Sequence, residues 1–164
     1  MNKTANYELT IIVPVYNEEG NIQRLTTELS HYLQISKLTS CILFVNDGST
    51  DKSEQFIQEA CKANKDLSLA QNGGLSAAMK AGIDHIFSAY VGYIDADLQT
   101  TPEDFNLLAD YVNDYEMVMG IRTGRKDSFV KNMSSRVANG FRRAMTHDGV
   151  EDTGCPLKIL RTPY

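Results

Sequence analysis

The sequence predicts one α/β domain, a mostly parallel sheet flanked by helices. Two observations carry this. Short apolar runs of strand length alternate with longer segments of helical periodicity, and no repeat, low-complexity tract or linker interrupts the alternation. A chain of 164 residues with 42% hydrophobic content fills one good core and is too short for two ordinary domains, so residues 1–164 read as a single unit. Strands that alternate with helices pair in parallel through right-handed crossovers.

Leu9 to Val15 is an apolar stretch interrupted only by Thr10, the pattern of a buried strand. A helix is expected from about Glu18 to Ile35, with Ile22, Leu25, Leu29, Tyr32 and Leu33 at helical spacing. Cys41 to Val45 reads as a second strand, and Thr50 to about Ala63 as a second helix with Ser49 or Thr50 as its N-cap. Leu67 to Ala70 is a short third strand, Leu75 to about Ser88 a helix, and Tyr90 to Ile94 a fourth strand. Pro102 to Tyr111 is expected to be helical, with Pro in its first turn. Met117 to Met119 begins a fifth strand, about Phe129 to Met145 forms a basic amphipathic helix, and Leu157 to Leu160 is the last strand.

No run reaches the roughly 18 uninterrupted apolar residues of a membrane span, and the polar start, Met1 to Asn6, lacks the apolar stretch of a signal peptide. A cytoplasmic protein is expected. Cys41, Cys61 and Cys155 are odd in number and have no metal-ligand spacing, which fits reduced thiols. The net charge of −5 gives no reason to expect a nucleic-acid partner, and it hides a division. Residues 1–119 carry 7 Lys and Arg against 17 Asp and Glu, whereas residues 120–164 carry 9 against 4. That asymmetry suggests an acidic, cation-binding portion and a basic portion facing an anion.

The most informative stretch is Asp95-Ala96-Asp97-Leu98-Gln99, where an apolar run ends in two carboxylates one residue apart. In an extended chain, side chains two apart point the same way. Asp95, Asp97 and the Gln99 amide oxygen are therefore candidate ligands for a hard divalent cation, Mg²⁺ or Mn²⁺, which keeps its other positions for water and substrate phosphates. Ligands of open α/β sheets sit beyond the carboxyl ends of strands. Pro14 to Glu19, Asn46 to Asp51, Asn72 to Gly74 and Asp95 to Gln99 all fall there. Each cluster alone is ordinary turn chemistry, but their recurrence at successive strand ends makes one shared site. Gly48 and Gly74 permit close backbone approach, and Asp47 can accept hydrogen bonds from a base or ribose. Neither G-x-G-x-x-G after the first strand nor G-x-x-x-x-G-K-[ST] occurs, which removes the dinucleotide and P-loop readings.

Val13-Pro14-Val15-Tyr16-Asn17-Glu18, Val45-Asn46-Asp47-Gly48-Ser49-Thr50-Asp51 and Asp95-Ala96-Asp97 resemble, in order, the first-strand signature, nucleotide-binding loop and metal motif of the family 2 glycosyltransferases of GT-A fold. Leu98-Gln99 with Pro102-Glu103, then Gly120-x-Arg122 and Arg125-x-Asp127-Ser128, are similar to the branch acting on polyprenyl phosphates, which includes dolichyl-phosphate mannosyltransferase and undecaprenyl-phosphate aminoarabinose transferases. The likeness runs from about Leu9 to Arg161.

The resemblance implies a nucleoside diphosphate sugar donor, a lipid-phosphate acceptor, a divalent cation and inversion at the anomeric carbon. It places Pro14, Tyr16, Glu18 and Asp47 at the nucleoside, with Ser49, Asn72 and Gly74 in the same nucleotide-binding loops. Asp95 would lie by the ribose or cation, and Asp97 with Gln99 would hold the cation on the diphosphate. Arg122, Arg125 and Arg136 would face the acceptor phosphate, a task suited to the guanidinium fork, and Asp152 matches an acidic position near the acceptor. A phosphate acceptor is already anionic, its second pKa being about 6, whereas a hydroxyl acceptor would need a base, for which Asp152 is the candidate. Gln71 stands where many relatives carry a basic residue, which leaves neutralisation of the donor phosphates more dependent on the cation. Relatives also continue beyond the position of Tyr164, so the chain is expected to be incomplete at its C-terminus. Phe129, Met133, Val137, Phe141 and Met145 form an apolar stripe edged by Lys131, Arg142 and Arg143. The stripe is expected to pack into the core, as in most amphipathic helices of globular domains, while its basic edge still allows peripheral contact with the inner face of a membrane.

Overall fold

A computed structural model of the chain describes residues 7–64, 67–71, 86–121, 155 and 157–162. The elements run β1 (Leu9–Val15), α1 (Glu19–Ile35), β2 (Ser40–Asn46), α2 (Ser53–Ala63), β3 (Leu67–Gln71), β4 (Tyr90–Tyr93), a 3₁₀ turn (Pro102–Asp104), α3 (Phe105–Ala109), β5 (Met117–Met119) and β6 (Lys158–Arg161). They build one six-stranded sheet in the order β3-β2-β1-β4-β6-β5. β1 pairs in parallel with β2 and β4, and β2 with β3, while β6 runs antiparallel to both β4 and β5.

Both faces of β1 are covered, which is why its sequence is apolar except for the buried Thr10. Leu9, Ile11, Val13 and Val15 pack with Ile22, Leu25, Leu29 and Tyr32 of α1 and with Phe105. Ile12 points to the opposite face, joining Leu43, Val45, Ile86 and Val91. Gly92 explains how the first face closes: a Cβ there would lie 3.0 Å from Phe105 Cε1 and 3.2 Å from Ile11 Cγ1. The missing side chain lets the Phe105 ring lie on the sheet, 5.9 Å from the Tyr32 ring.

Thr10, fully buried, has its hydroxyl 2.8 Å from Ser88 Oγ. The single Ser88 hydroxyl proton goes to the Tyr90 carbonyl at 2.8 Å, so Thr10 is the donor to Ser88. Thr162 donates to the Ser88 carbonyl at 2.7 Å. These bonds satisfy the buried hydroxyls and fasten the segment before β4 to β1 and to the end of β6.

Several expectations are corrected. The second helix begins at Ser53 rather than Thr50 and is capped by neither Ser49 nor Thr50. Helix 102–111 resolves into the 3₁₀ turn, the five-residue α3 and further turns. Of the helix expected to end at Ser88, residues 86–88 are not helical, and the rest of it lies outside the described residues, as does the basic helix 129–145.

Candidate functional site

The site begins with a proline. The Ile94 N–H donates to the Ile12 carbonyl at 3.2 Å, the last rung between β4 and β1. Backbone groups alternate sides along a strand, so the next β1 residue whose groups face β4 is Pro14, which has no N–H. The ladder ends there and the two chains part. On the other side of β1 the pairing continues, with the Asp47 N–H donating to the Val15 carbonyl at 2.8 Å. A cavity of about 350 Å³ opens in the gap, lined by Pro14, Val15, Tyr16, Glu18, Asp47, Tyr93, Asp95, Ala96 and Asp97. That volume lies in the range of small-ligand sites.

The loops after β1 and β2 are locked to each other. Asn17, in the left-handed conformation at φ 53°, donates its N–H to Ser49 Oγ at 3.0 Å and accepts from the Thr50 N–H at 2.8 Å. The Glu18 N–H donates to Ser53 Oγ at 2.8 Å, and the Lys52 N–H to Glu19 Oε2 at 3.0 Å. One carboxylate serves both helix starts: Asp51 Oδ2 accepts from the Glu19 N–H at 3.0 Å, and Oδ1 from the Ser53 N–H at 2.9 Å. Helix N-termini have unsatisfied N–H groups and favour negative charge, so Asp51 holds α1 and α2 side by side. Desolvation pushes the Asp51 pKa up, but the accepted hydrogen bonds outweigh it and hold the carboxyl below its usual range. This lattice fixes where Tyr16 and Asp47 stand on one wall of the cavity. Tyr16 is 60% exposed, presenting its ring to any ligand that enters.

The opposite wall is the Asp95–Asp97 segment. The expectation of an extended chain there is corrected: β4 ends at Tyr93, and Ala96 and Asp97 form a turn followed by Leu98 at φ 59°. The turn, not strand alternation, brings both carboxylates to the cavity. Tyr93 donates its hydroxyl to Asp95 Oδ1 at 2.6 Å, and the Gln99 N–H donates to Asp97 Oδ1 at 3.0 Å. Burial first, then the Asp95 hydrogen bond and the charges of Asp95 and Asp97, push the Tyr93 phenol far above its usual range, so it stays a donor.

The structure thus brings together Pro14, Tyr16, Glu18, Asp47, Asp95 and Asp97. Ser49 and Gln99 stand in the adjoining loops and do not line the cavity. Asn72, Gly74, Arg122, Arg125, Arg136 and Asp152 lie outside the described residues. Tyr93 was not among the expected site residues; its place at the end of the apolar run, two residues before Asp95, was the available signal.

The donor set suits a hard cation in part. Among the described residues no three His, Cys, Asp or Glu side chains cluster as a closed metal site. Two carboxylates whose Oδ1 atoms are engaged and whose Oδ2 atoms have no hydrogen bond among the described residues fit Mg²⁺ or Mn²⁺ held by one or two carboxylates and completed by water and phosphate.

Comparison with known proteins identifies the family and the fold. Residues 10–160 match the family described as Glycosyl transferase family 2. The undecaprenyl-phosphate 4-deoxy-4-formamido-L-arabinose transferase of Edwardsiella ictaluri is 31% identical over 165 residues, covering 98% of this chain and 50% of that protein. The protein of the same name from Sodalis glossinidius is 31% identical over 94% of this chain and 49% of its own length. The chain therefore spans about half the length of the curated relatives it matches. Among solved structures, the glucosyl-3-phosphoglycerate synthase of Mycobacterium tuberculosis superposes with a TM-score of 0.73 at 15% identity, over 98% of this chain and 58% of that one, in a complex with Mn²⁺, uridine-diphosphate-glucose and phosphoglyceric acid. At that identity the likeness shows the fold, the GT-A fold of the expectation.

Proposed function

Since the chain belongs to glycosyl transferase family 2, we propose that its cavity binds a nucleoside diphosphate sugar and that the sugar is transferred to a polyprenyl phosphate. The observation that carries this is the pairing of two walls at one sheet edge. Pro14, Tyr16 and Asp47 suit a nucleoside, and Asp95 with Asp97 suit a cation on its diphosphate. The 31% identity to two undecaprenyl-phosphate sugar transferases supports the acceptor class.

The chain's own residues would act by placement. Tyr16 would pack against the base, Asp47 would accept from base or ribose, and Asp95 would accept from ribose or hold the cation. Asp97 would hold the cation, with Gln99 beside it. A bound Mg²⁺ or Mn²⁺ would supply Lewis-acid neutralisation of the charge that develops on the leaving diphosphate. A phosphate acceptor attacks as an anion and needs no strong base from the protein. Arg122, Arg125 and Arg136 remain the candidates for holding it, and Asp152 for ordering the acceptor side.

Among the described residues no helix is long and apolar enough to cross a membrane. A lipid acceptor would be reached through peripheral contact at the inner face of the membrane, for which the basic edge of the 129–145 segment, Lys131, Arg142 and Arg143, is the candidate. A transfer assay on the full-length gene product, with a panel of nucleoside diphosphate sugars and a polyprenyl phosphate, tests the reading. Glycosylated lipid phosphate is the expected product; turnover on free saccharides alone would overturn it.

A further inference from the structure

We propose that Tyr93 is a positioning residue that locks the Asp95 carboxylate, so that Asp95 meets its ligand through Oδ2 alone. The proposal rests on the nucleotide-binding reading above. A hydroxyl-to-carboxylate distance of 2.6 Å is that of a charge-assisted hydrogen bond. The donor is well anchored: Tyr93 pairs with Ile12 of β1 on one side and with Lys158 of β6 on the other, in the middle of the sheet. Its acceptor is less so, because Asp95 lies past the end of β4, at the entrance to the turn that carries Asp97. The phenol therefore ties a residue past the strand end to one inside the sheet.

Asp97 is restrained in the same sense, its Oδ1 taken by the Gln99 N–H at 3.0 Å. Each carboxylate has its Oδ1 engaged by the protein, and both residues line the cavity. Two single-oxygen contacts would leave more of a cation's coordination positions to phosphate and water than two bidentate carboxylates would. Outer partners that orient a ligating side chain are worth about 10–100-fold in affinity in metal sites, and a residue acting only through Asp95 has no effect once Asp95 can no longer serve.

The test is NMR titration of UDP and of GDP, each with Mg²⁺, into the wild-type chain, Tyr93→Phe, Asp95→Asn and the double variant, with Tm recorded for each. Tyr93→Phe is expected to raise Kd about tenfold, the low end of that range, at unchanged Tm, and to add nothing in the Asp95→Asn background. A Kd within twofold of wild type, or an equal loss with and without Asp95, would overturn the positioning role while leaving the binding reading intact. Absence of wild-type binding to either nucleotide would overturn both.

Discussion

Asn17 and Thr50 join the first two strand-end loops through a 2.8 Å hydrogen bond from the Thr50 N–H to Asn17 Oδ1. Asn17 makes that bond from a left-handed backbone, φ 53°, which Asn tolerates better than other residues with a Cβ. Asn17→Ala loses the acceptor and strains the turn, and is expected to cost about 1–3 kcal/mol of stability. Asn17→Gly keeps the backbone and should cost less. Urea unfolding of the two variants checks the order; an Ala variant as stable as the Gly variant would refute it.

Asp97→Asn is expected to weaken Mn²⁺-dependent binding of a nucleoside diphosphate by about 1–3 kcal/mol, the range for losing a charged partner, with the fold intact. Calorimetry with and without a chelator reads this directly. Equal wild-type affinity in both conditions would remove the cation from the site.

Gly92→Ala places a methyl group 3.0 Å from Phe105 Cε1. Overpacking a well-filled core costs about 1–3 kcal/mol, and each kcal/mol lowers Tm by about 2–4 °C in a domain of this size. Thermal unfolding should therefore show a clear drop, and Gly92→Ala with Phe105→Leu should recover part of it by freeing space beside the strand.

Asp51 predicts an acid dependence. Its carboxyl titrates lower in the folded chain than the ordinary 3.8, so its contribution is complete above that value and is lost as the pH falls through the folded one. The stability gap between wild type and Asp51→Asn should be constant above about pH 5 and narrow as the pH falls below about 4. Urea unfolding across that interval measures it, and a gap that widens in acid would contradict the assignment.

Arg122→Ala or Arg125→Ala in the full-length enzyme is expected to raise the acceptor KM far more than the donor KM, with Asp152→Asn retaining turnover. Steady-state kinetics with each substrate varied in turn separates these. A nearly inactive Asp152→Asn with little change from either arginine variant would point to a hydroxyl acceptor.

The buried strands were legible because they are covered on both faces: β1 is apolar but for Thr10, and β2 is apolar between its end residues, with boundaries close to those expected. Capping was not legible. Ser49 and Thr50 look like local N-caps, yet Ser49 Oγ and the Thr50 N–H bond to Asn17, 32 and 33 residues away, while Asp51 takes the helix starts. A long-range partner outcompeted the local one. The antiparallel direction of β6 was equally hidden, because apolar pattern carries no strand polarity. At the site, two carboxylates one residue apart announced themselves, but the turn that aims them did not. Tyr93 was less legible, because an aromatic residue in an apolar strand reads as core.

β6 lies between β4 and β5, and β5 pairs with β6 alone among the described strands. On the ribosome this order matters. The parallel half, β3-β2-β1-β4, has all its strands once Tyr93 has emerged, whereas β5 leaves the tunnel before the strand that will hold it has been made. Until Lys158 to Arg161 arrive, β4 is an open edge able to pair with a neighbouring nascent chain. The late strand closes that edge and captures β5 in one step although it is far from both in sequence, the kind of non-local pairing that slows folding. Newly made chains are thus most exposed to edge-to-edge aggregation during the interval between β4 and β6, and a chaperone that shields β4 over that interval would act where the need is greatest.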